Sequence, residues 1–453
     1  MPARFLPPLL AAVMSAESST VLLVAALACM LVLALVGKIP LGYNLRNLTV
    51  RWRTTLLTAL AFTLVVGLMI VMLAFVDGMY KLTEDSGQPG NVMVLSDGAT
   101  DELFSNLGFT DIGDIERQPR VRRNAAGQPI CSREVYLVVN QQVIGPSGET
   151  LQRRFTQVRG VEDPLMAAEA HGLDLFPGGA WFCASGVQAL PGAAGTAAGQ
   201  QAIQAVLGEG IADQLGPDLG KPRLEVGDVF DLGPRKWIVV GLLRSAGSTF
   251  GSEVWAKRGL IGPMFGKDAF SSLVLRTDDA ANAKALSQDL NNNFKKAALF
   301  AQPETEYFSK LSETNRQFLV AIIFVTVFMS LGGVCGVMNT MFAAISQRTK
   351  DIGVMRILGF ARWQLLVSFF LESLVIALIG GALGCSLGYL VDGLKSTSII
   401  SSGQGGGKSV TLELIVSPET LMFGLLMALG MGALGAVLPC LAAMRVRPLE
   451  SLR

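Results

Sequence analysis

Histidine is nearly missing from this sequence: His171 is the only one in 453 residues. A metal or catalytic centre built on imidazoles has nothing to assemble from, and His171 reads as a satisfied or exposed side chain. Charge is scarce too, with 16% of residues Asp, Glu, Lys or Arg, where a soluble domain carries about 25%. With 51% hydrophobic residues and a mean hydropathy of +0.46, the chain reads as an integral membrane protein. Its six cysteines have no metal-ligand spacing. Cys29, Cys335, Cys385 and Cys440 sit in apolar runs, where a small, soft residue packs between helices. Cys131 and Cys183 lie in a more polar stretch, and their pairing stays open. A net charge of +1 says little about partners, whereas its distribution says more.

Long hydrophobic runs are what the chain has in their place. Four of them, about 55–77, 316–344, 364–392 and 420–442, are long enough to cross a bilayer, and a fifth, 20–37, just reaches that length. Basic residues in short flanks mark the cytoplasmic ends. Arg46, Arg51 and Arg53 precede the first core run, Arg348 to Arg362 lie between the next two, and Arg445, Arg447 and Arg453 follow the last. All three flanks give one topology: 38–54 inside, 78–315 outside, 345–363 inside, 393–419 outside and the tail 443–453 inside. The 20–37 helix must then begin outside. Residues 1–19 read either as a signal-like segment, with cleavage near Ala16, or as an uncleaved interfacial segment. Within 38–54, Leu41, Leu45, Leu48 and Trp52 line one side of a basic amphipathic helix along the inner membrane surface.

Small residues form seams on the core helices. Gly380, Gly384 and Gly388 recur every four residues, as do Gly332 and Gly336, and Ala428, Gly432 and Ala436 repeat the pattern. Such rows let helices approach closely, either within one subunit or against a second copy.

The outside segment 78–315 reads as mixed α/β. Strand patterns fall at Val92–Leu95, Val135–Asn140, Phe155–Val158, Val229–Leu232, Trp237–Leu243 and Ser272–Leu275, and helical ones at Gly210–Leu215 and Ala280–Phe294. The Gly/Ala-rich stretch Pro191–Gln200 reads as a linker, dividing two lobes near 90–190 and 201–300. No catalytic constellation emerges, and Ser185 lacks the flanks of a nucleophile elbow. Residues Ser402 to Ser409 nearly spell a phosphate-binding loop, but Ser402 stands where glycine is needed, and a strand before and a helix after are required. A flexible Gly/Ser connection is the better reading, so any ATP chemistry belongs to another polypeptide.

Residues 345–363 carry the most information. Arg348, Lys350, Arg356 and Arg362 face the single acid Asp351, and Ile352, Met355, Ile357 and Leu358 leave an apolar face on a cationic helix. That is a candidate docking surface on the inner side of the membrane. Glu372, about two turns into the next run, is costly to bury and needs a partner or polar access.

Ser346-Gln-Arg-Thr-Lys-Asp-Ile-Gly-Val-Met-Arg-Ile-Leu-Gly359, followed by Phe370-Leu-Glu-Ser, resembles the most specific motif of the MacB/FtsX/LolC class of ABC transporter permeases. Asn44–Ala61 looks like that family's approach to its first core helix, and Pro439 to Arg453 is similar to its tail. Val206-Leu-Gly-Glu-Gly-Ile-Ala, Val226-Gly-Asp and Ile238-Val-Val-Gly resemble phrases of its periplasmic core domain. The resemblance implies an α-helical bundle of four core helices, here with an extra N-terminal one, and a large inserted α/β domain. It implies an inner-membrane, multi-pass protein that is a homodimer or a paired homologous permease. Two copies of a separate ATPase would use ATP and Mg, with no cofactor on this chain and no fused ATPase domain of the MacB kind. Closure of the ATPases would move the helices and reshape the periplasmic domain, for export or extraction of an amphiphilic substrate. Membrane lipid and a periplasmic adaptor protein are further expected partners, and nucleic acid is not. On this reading Arg348, Lys350, Asp351, Ile352, Gly353, Met355, Arg356, Gly359 and Arg362 form the ATPase-coupling segment, with Ile352 and Met355 as apolar anchors. Two readings compete: a non-transporting regulator of a cell-wall hydrolase, as in the FtsX branch, and a membrane-anchored enzyme, which the missing catalytic set disfavours.

Overall fold

The computed structural model describes residues 16–36, 46, 50, 52–84, 86–144, 150–190, 201–245, 248–311, 313–401 and 407–444. The N-terminal segment before Ala16, most of the 38–54 stretch, residues 191–200, residues 402–406 and the tail from Arg445 lie outside the described residues. Two compact units result. One, helical, comprises residues up to Gly78, Arg316–Leu394 and Glu413 onward; the other, α/β, comprises Met79–Asn315 and Lys395–Leu412.

Along the chain, α1 (Ala16–Val36) and α2 (Trp52–Glu84) come first. The α/β unit follows with β1 (Asn91–Ser96), α3 (Phe109–Glu116), β2 (Cys131–Ile144), β3 (Thr150–Val161), α4 (Pro164–His171), β4 (Val187–Ala189), β5 (Gln201–Gly208) and α5 (Glu209–Leu215). It continues through β6 (Val229–Leu232), β7 (Arg235–Leu243), β8 (Glu253–Lys257), α6 (Arg258–Phe265), β9 (Ser272–Arg276), α7 (Ala280–Asn293), β10 (Leu299–Pro303) and α8 (Glu304–Leu311). Then come α9 (Glu313–Gln347), α10 (Thr349–Ile357), α11 (Arg362–Tyr389), β11 (Lys395–Ser401), β12 (Gly407–Glu413) and α12 (Pro418–Met444).

Four stretches of α2, α9, α11 and α12 are long and apolar enough to cross a membrane: Thr55–Lys81, Gln317–Gln347, Arg362–Tyr389 and Pro418–Met444. The extra helix α1 packs along α12. The Gly380 row explains the close approach of α11 to α2. A Cβ at Gly380 would stand 2.5 Å from Ala59 O, one at Gly384 2.8 Å from Val66 Cβ, and one at Gly388 2.6 Å from Ile70 Cγ2. Gly432 meets Ala377 in the same way, at 2.6 Å. Gly332 and Gly336 on α9 instead face open space within the chain, beside the exposed Phe324, Phe328 and Leu331. The two glycine rows therefore differ in kind: one is an internal seam and the other is free.

The α/β unit is built on one sheet, ordered β10-β1-β9-β2-β3-β8-β5-β7-β6, with β4 added to β5. Strands β9 and β10, from after 191–200, flank β1, from before it, so a division into lobes at that linker does not describe the fold. The natural division is between β10-β1-β9-β2-β3 and β8-β5-β7-β6, joined by the parallel β3/β8 ladder from Gln157↔Glu253 to Val161↔Lys257. The second half is an insertion between α4 and α6. Strands β5 and β8 escape a reading based on alternation because both of their faces are buried. The 393–419 connection is not a plain loop either: β11 and β12 pair as a hairpin. Lys408 and Ser409 lie on β12, a strand where a phosphate loop would need a helix.

Candidate functional site

The cationic segment folds as a short helix, α10, closed by Gly359, whose φ of +97° lies in the left-handed region. Phe360 N–H reaches back to Met355 O at 3.2 Å, and Arg356 Nη1 donates to Phe360 O at 3.1 Å. Helix α11 begins at once: Ala361 N–H donates to Gln364 Oε1 at 2.8 Å. Only four residues thus separate α10 from α11, and α10 packs against the helical bundle through Ile352 and Met355.

This packing decides which face of α10 is available. Ile352 is 0% exposed and Met355 9%, both part of the apolar core with Ile345, Leu365 and Phe369. They are therefore not the outward anchors expected from the sequence. A helix lying against its own bundle buries the residues one turn apart on its inner side, and Gly353 is buried with them. The outward apolar residues are Val354, Ile357 and Leu358, followed by Trp363, with Leu358 72% exposed. Lys350, Asp351, Gly359 and Arg362 are exposed beside them, and Arg356 is half-buried.

Arg348 is also placed differently from the expectation of a contact residue. It is buried, and its guanidinium forks onto Glu372 of α11, Nη1 to Oε2 at 2.8 Å and Nη2 to Oε1 at 2.8 Å. Glu372 thereby has the partner its burial demands. Phe369 lies under the guanidinium at 5.8 Å. A cavity of about 120 Å³ adjoins the pair, with Thr55 and Thr58 of α2, Thr340 of α9 and Ser373 of α11 in its wall. Arg348 Nε has no hydrogen-bond acceptor. Fixed fork geometry makes such a pair directional as well as strong. It ties the start of α10 to the middle of a spanning helix.

The α/β unit holds no nucleophile–base pair among its described residues. Ser185 Oγ contacts Cys183 Sγ at 3.0 Å and Val187 O at 3.4 Å, with no base beside it. Cys131 and Cys183 are both free thiols, one buried and one exposed; burial pushes the Cys131 thiol up to about 12. His171 is buried and lies 2.6 Å from Glu134 and 3.3 Å from Glu304. No sequence signal announces this cluster, because its members come from distant strands and helices.

Two family models match the chain: an FtsX-like permease C-terminal region over residues 323–448 and a MacB-like periplasmic core domain over 55–293. The macrolide export ATP-binding/permease protein MacB of Shewanella oneidensis is 24% identical over 389 residues, covering 80% of this chain and 55% of that protein. MacB of Vibrio parahaemolyticus is 22% identical with the same coverage of both chains. An uncharacterized ABC transporter permease, YknZ of Bacillus subtilis, is 24% identical over 54% of this chain and 60% of its own. The chain thus spans little more than half the length of these relatives. Among solved structures, the extracellular domain of YknZ overlaps 47% of the chain and 99% of its own (14% identity, TM-score 0.31). The periplasmic region of MacB from Actinobacillus actinomycetemcomitans overlaps 51% of the chain and 95% of its own (13%, 0.33). Superpositions this loose carry no functional weight.

Proposed function

Since this chain belongs to the MacB-like ABC transporter permease family, we propose that it relays ATP hydrolysis, carried out by two copies of a separate ATPase, to its periplasmic domain. On this reading it sits in the inner membrane as a homodimer or beside a homologous permease. The stroke serves export or extraction of an amphiphilic substrate.

The observation that carries this reading is the pairing of an outward apolar-basic face with an inward rigid anchor on the same segment. Val354, Ile357 and Leu358 are exposed amid Lys350, Arg356 and Arg362. Apolar side chains ringed by charge at the end of a spanning helix suit a protein groove rather than lipid. Arg348 fixes the same segment to Glu372 on α11. A push on α10 therefore reaches α11 through a bidentate ion pair and the continuous backbone of the 358–361 turn.

The test is co-purification from the native membrane. An ATP-hydrolysing subunit is expected with the wild-type chain and is expected to be lost with Leu358→Asp, while insertion and yield stay normal. Retention of the ATPase by Leu358→Asp, or no ATPase with the wild type, contradicts the assignment.

A further inference from the structure

The sheet of the α/β unit carries an apolar core on one face and a charged one on the other. Successive residues of a strand face opposite sides. Gly160 of β3 lies beneath α6, where a Cβ would meet Ile261 Cδ1 at 2.5 Å. Arg159 beside it, 1% exposed, projects into the opposite face. Tyr136 of β2 and Trp255 of β8 are its cross-strand neighbours in register, with their rings 5.1 and 5.6 Å from the guanidinium.

Three carboxylates surround this one guanidinium. From the first half of the sheet come Glu102, at 2.8 Å, and Glu134 of β2. From the inserted half comes Glu253, the first residue of β8, bound through Nε at 2.6 Å and Nη2 at 2.8 Å. Ser272 Oγ lies within donating distance of both Glu102 and Glu134, at 3.2 and 3.3 Å, so the two acids share its single proton. His171 of α4 continues the chain of charge to Glu304 at the start of α8. Glu304 Oε2 in turn accepts from Gln88 N–H at 2.9 Å and Asn91 Nδ2 at 2.8 Å.

Other ionisable groups close the cluster. Asp101, next to Glu102, accepts from Tyr307 of α8 at 3.2 Å. Lys267, after α6, spends its ammonium on the carbonyls of Leu103 and Tyr136 at 2.6 and 3.1 Å. Acids outnumber cations throughout this buried space.

A buried ion cluster is a poor way to gain stability, because desolvation offsets most of the attraction. What it does confer is dependence on charge. The β3/β8 ladder is only five residue pairs long, and Glu253 sits at its first rung. We propose that the Arg159–Glu253 contact is a latch on the seam between the two half-sheets. Loss of the Glu253 charge frees the β8-β5-β7-β6 half to swing as a body while each half keeps its own ladders.

Hydrogen exchange on the full-length protein in detergent tests this, with rates converted to protection factors. Glu253→Gln is expected to lower protection at least tenfold in 157–161 and 253–257, and to leave 134–140 and 237–243 unchanged. In the wild type the same two segments are expected to open at a lower denaturant concentration than 134–140 and 237–243, which tests the latch even if the variant does not fold. Equal loss across all strands, or unaltered protection at the seam, overturns the proposal.

Discussion

Arg348 and Glu372 meet fork to fork inside the helical unit, with two 2.8 Å hydrogen bonds and both side chains no more than 5% exposed. Taking one partner away leaves the other charge buried and unpaired, a loss of about 3–5 kcal/mol. Glu372→Leu and Arg348→Met are each expected to lower the unfolding temperature of the detergent-purified protein. The Arg348→Met/Glu372→Leu double variant is expected to recover most of that loss. Additive losses in the cycle would show the two groups to be energetically independent.

The two faces of α10 are expected to respond differently to a carboxylate. Ile357→Asp changes an exposed position and is expected to leave the unfolding free energy within about 0.5 kcal/mol of wild type while abolishing ATPase-coupled activity. Ile352→Asp buries an unpaired charge and is expected to abolish the folded protein itself. Arg356→Glu belongs with the first group: membrane insertion is expected to survive and coupling to fail. Assays of monodispersity and coupled hydrolysis, run side by side, separate these outcomes.

Glycine substitutions distinguish the internal seam from the open row. Gly380→Val drives a side chain into Ala59 O, which a Cβ would already approach to 2.5 Å; overpacking of this sort costs about 1–3 kcal/mol or more. Gly332→Val meets nothing within the chain and is expected to leave the monomer's stability unchanged. Cross-linking yield between copies then reports whether a second chain uses that row.

The charged core sets a pH profile for the α/β unit. Burial opposes the charge of His171, but Glu134 and Glu304 override it and raise its pKa from 6.5 to about 10. Stability from this group is complete below about pH 6.5 and declines as pH rises toward 10. Burial likewise opposes the charge of Glu134, and Arg159 and His171 hold it down to about 2. Its contribution is present above pH 4.5 and declines as pH falls toward 2. Tryptophan-monitored thermal unfolding of the full chain is expected to peak between about pH 4.5 and 6.5, from these two groups. His171→Gln is expected to flatten the alkaline limb; an unchanged limb would assign it to other groups.

The helical unit was legible because lipid imposes one solution: long apolar runs must be helices, and arginines in short flanks fix their ends. Residues 346–359 were legible as a motif, but not which side faces out. Helix α10 carries apolar residues on more than one side, and its packing on the bundle sets Ile352 and Met355 inward. Strands β6 and β9 were found within a residue of their bounds through their short apolar runs. Strands β5 and β8, buried on both faces, carry no period to read, and the charged core is invisible because His171 finds Glu134 and Glu304 from distant parts of the sequence.

The order of strands also governs how this protein is made. Strand β1 is the first of its sheet to leave the membrane, yet its neighbours are β9 and β10, and Val92 pairs with Pro303 near the end of the unit. Strand β1 is therefore expected to travel with both edges bare until β9 and β10 have been made. A ribosome stalled anywhere between those strands leaves an apolar edge exposed to the compartment. Quality control of this protein is thus a matter of finishing the chain, and truncations before Leu299 are expected to be cleared as aggregates or by proteases, whatever the condition of the helices.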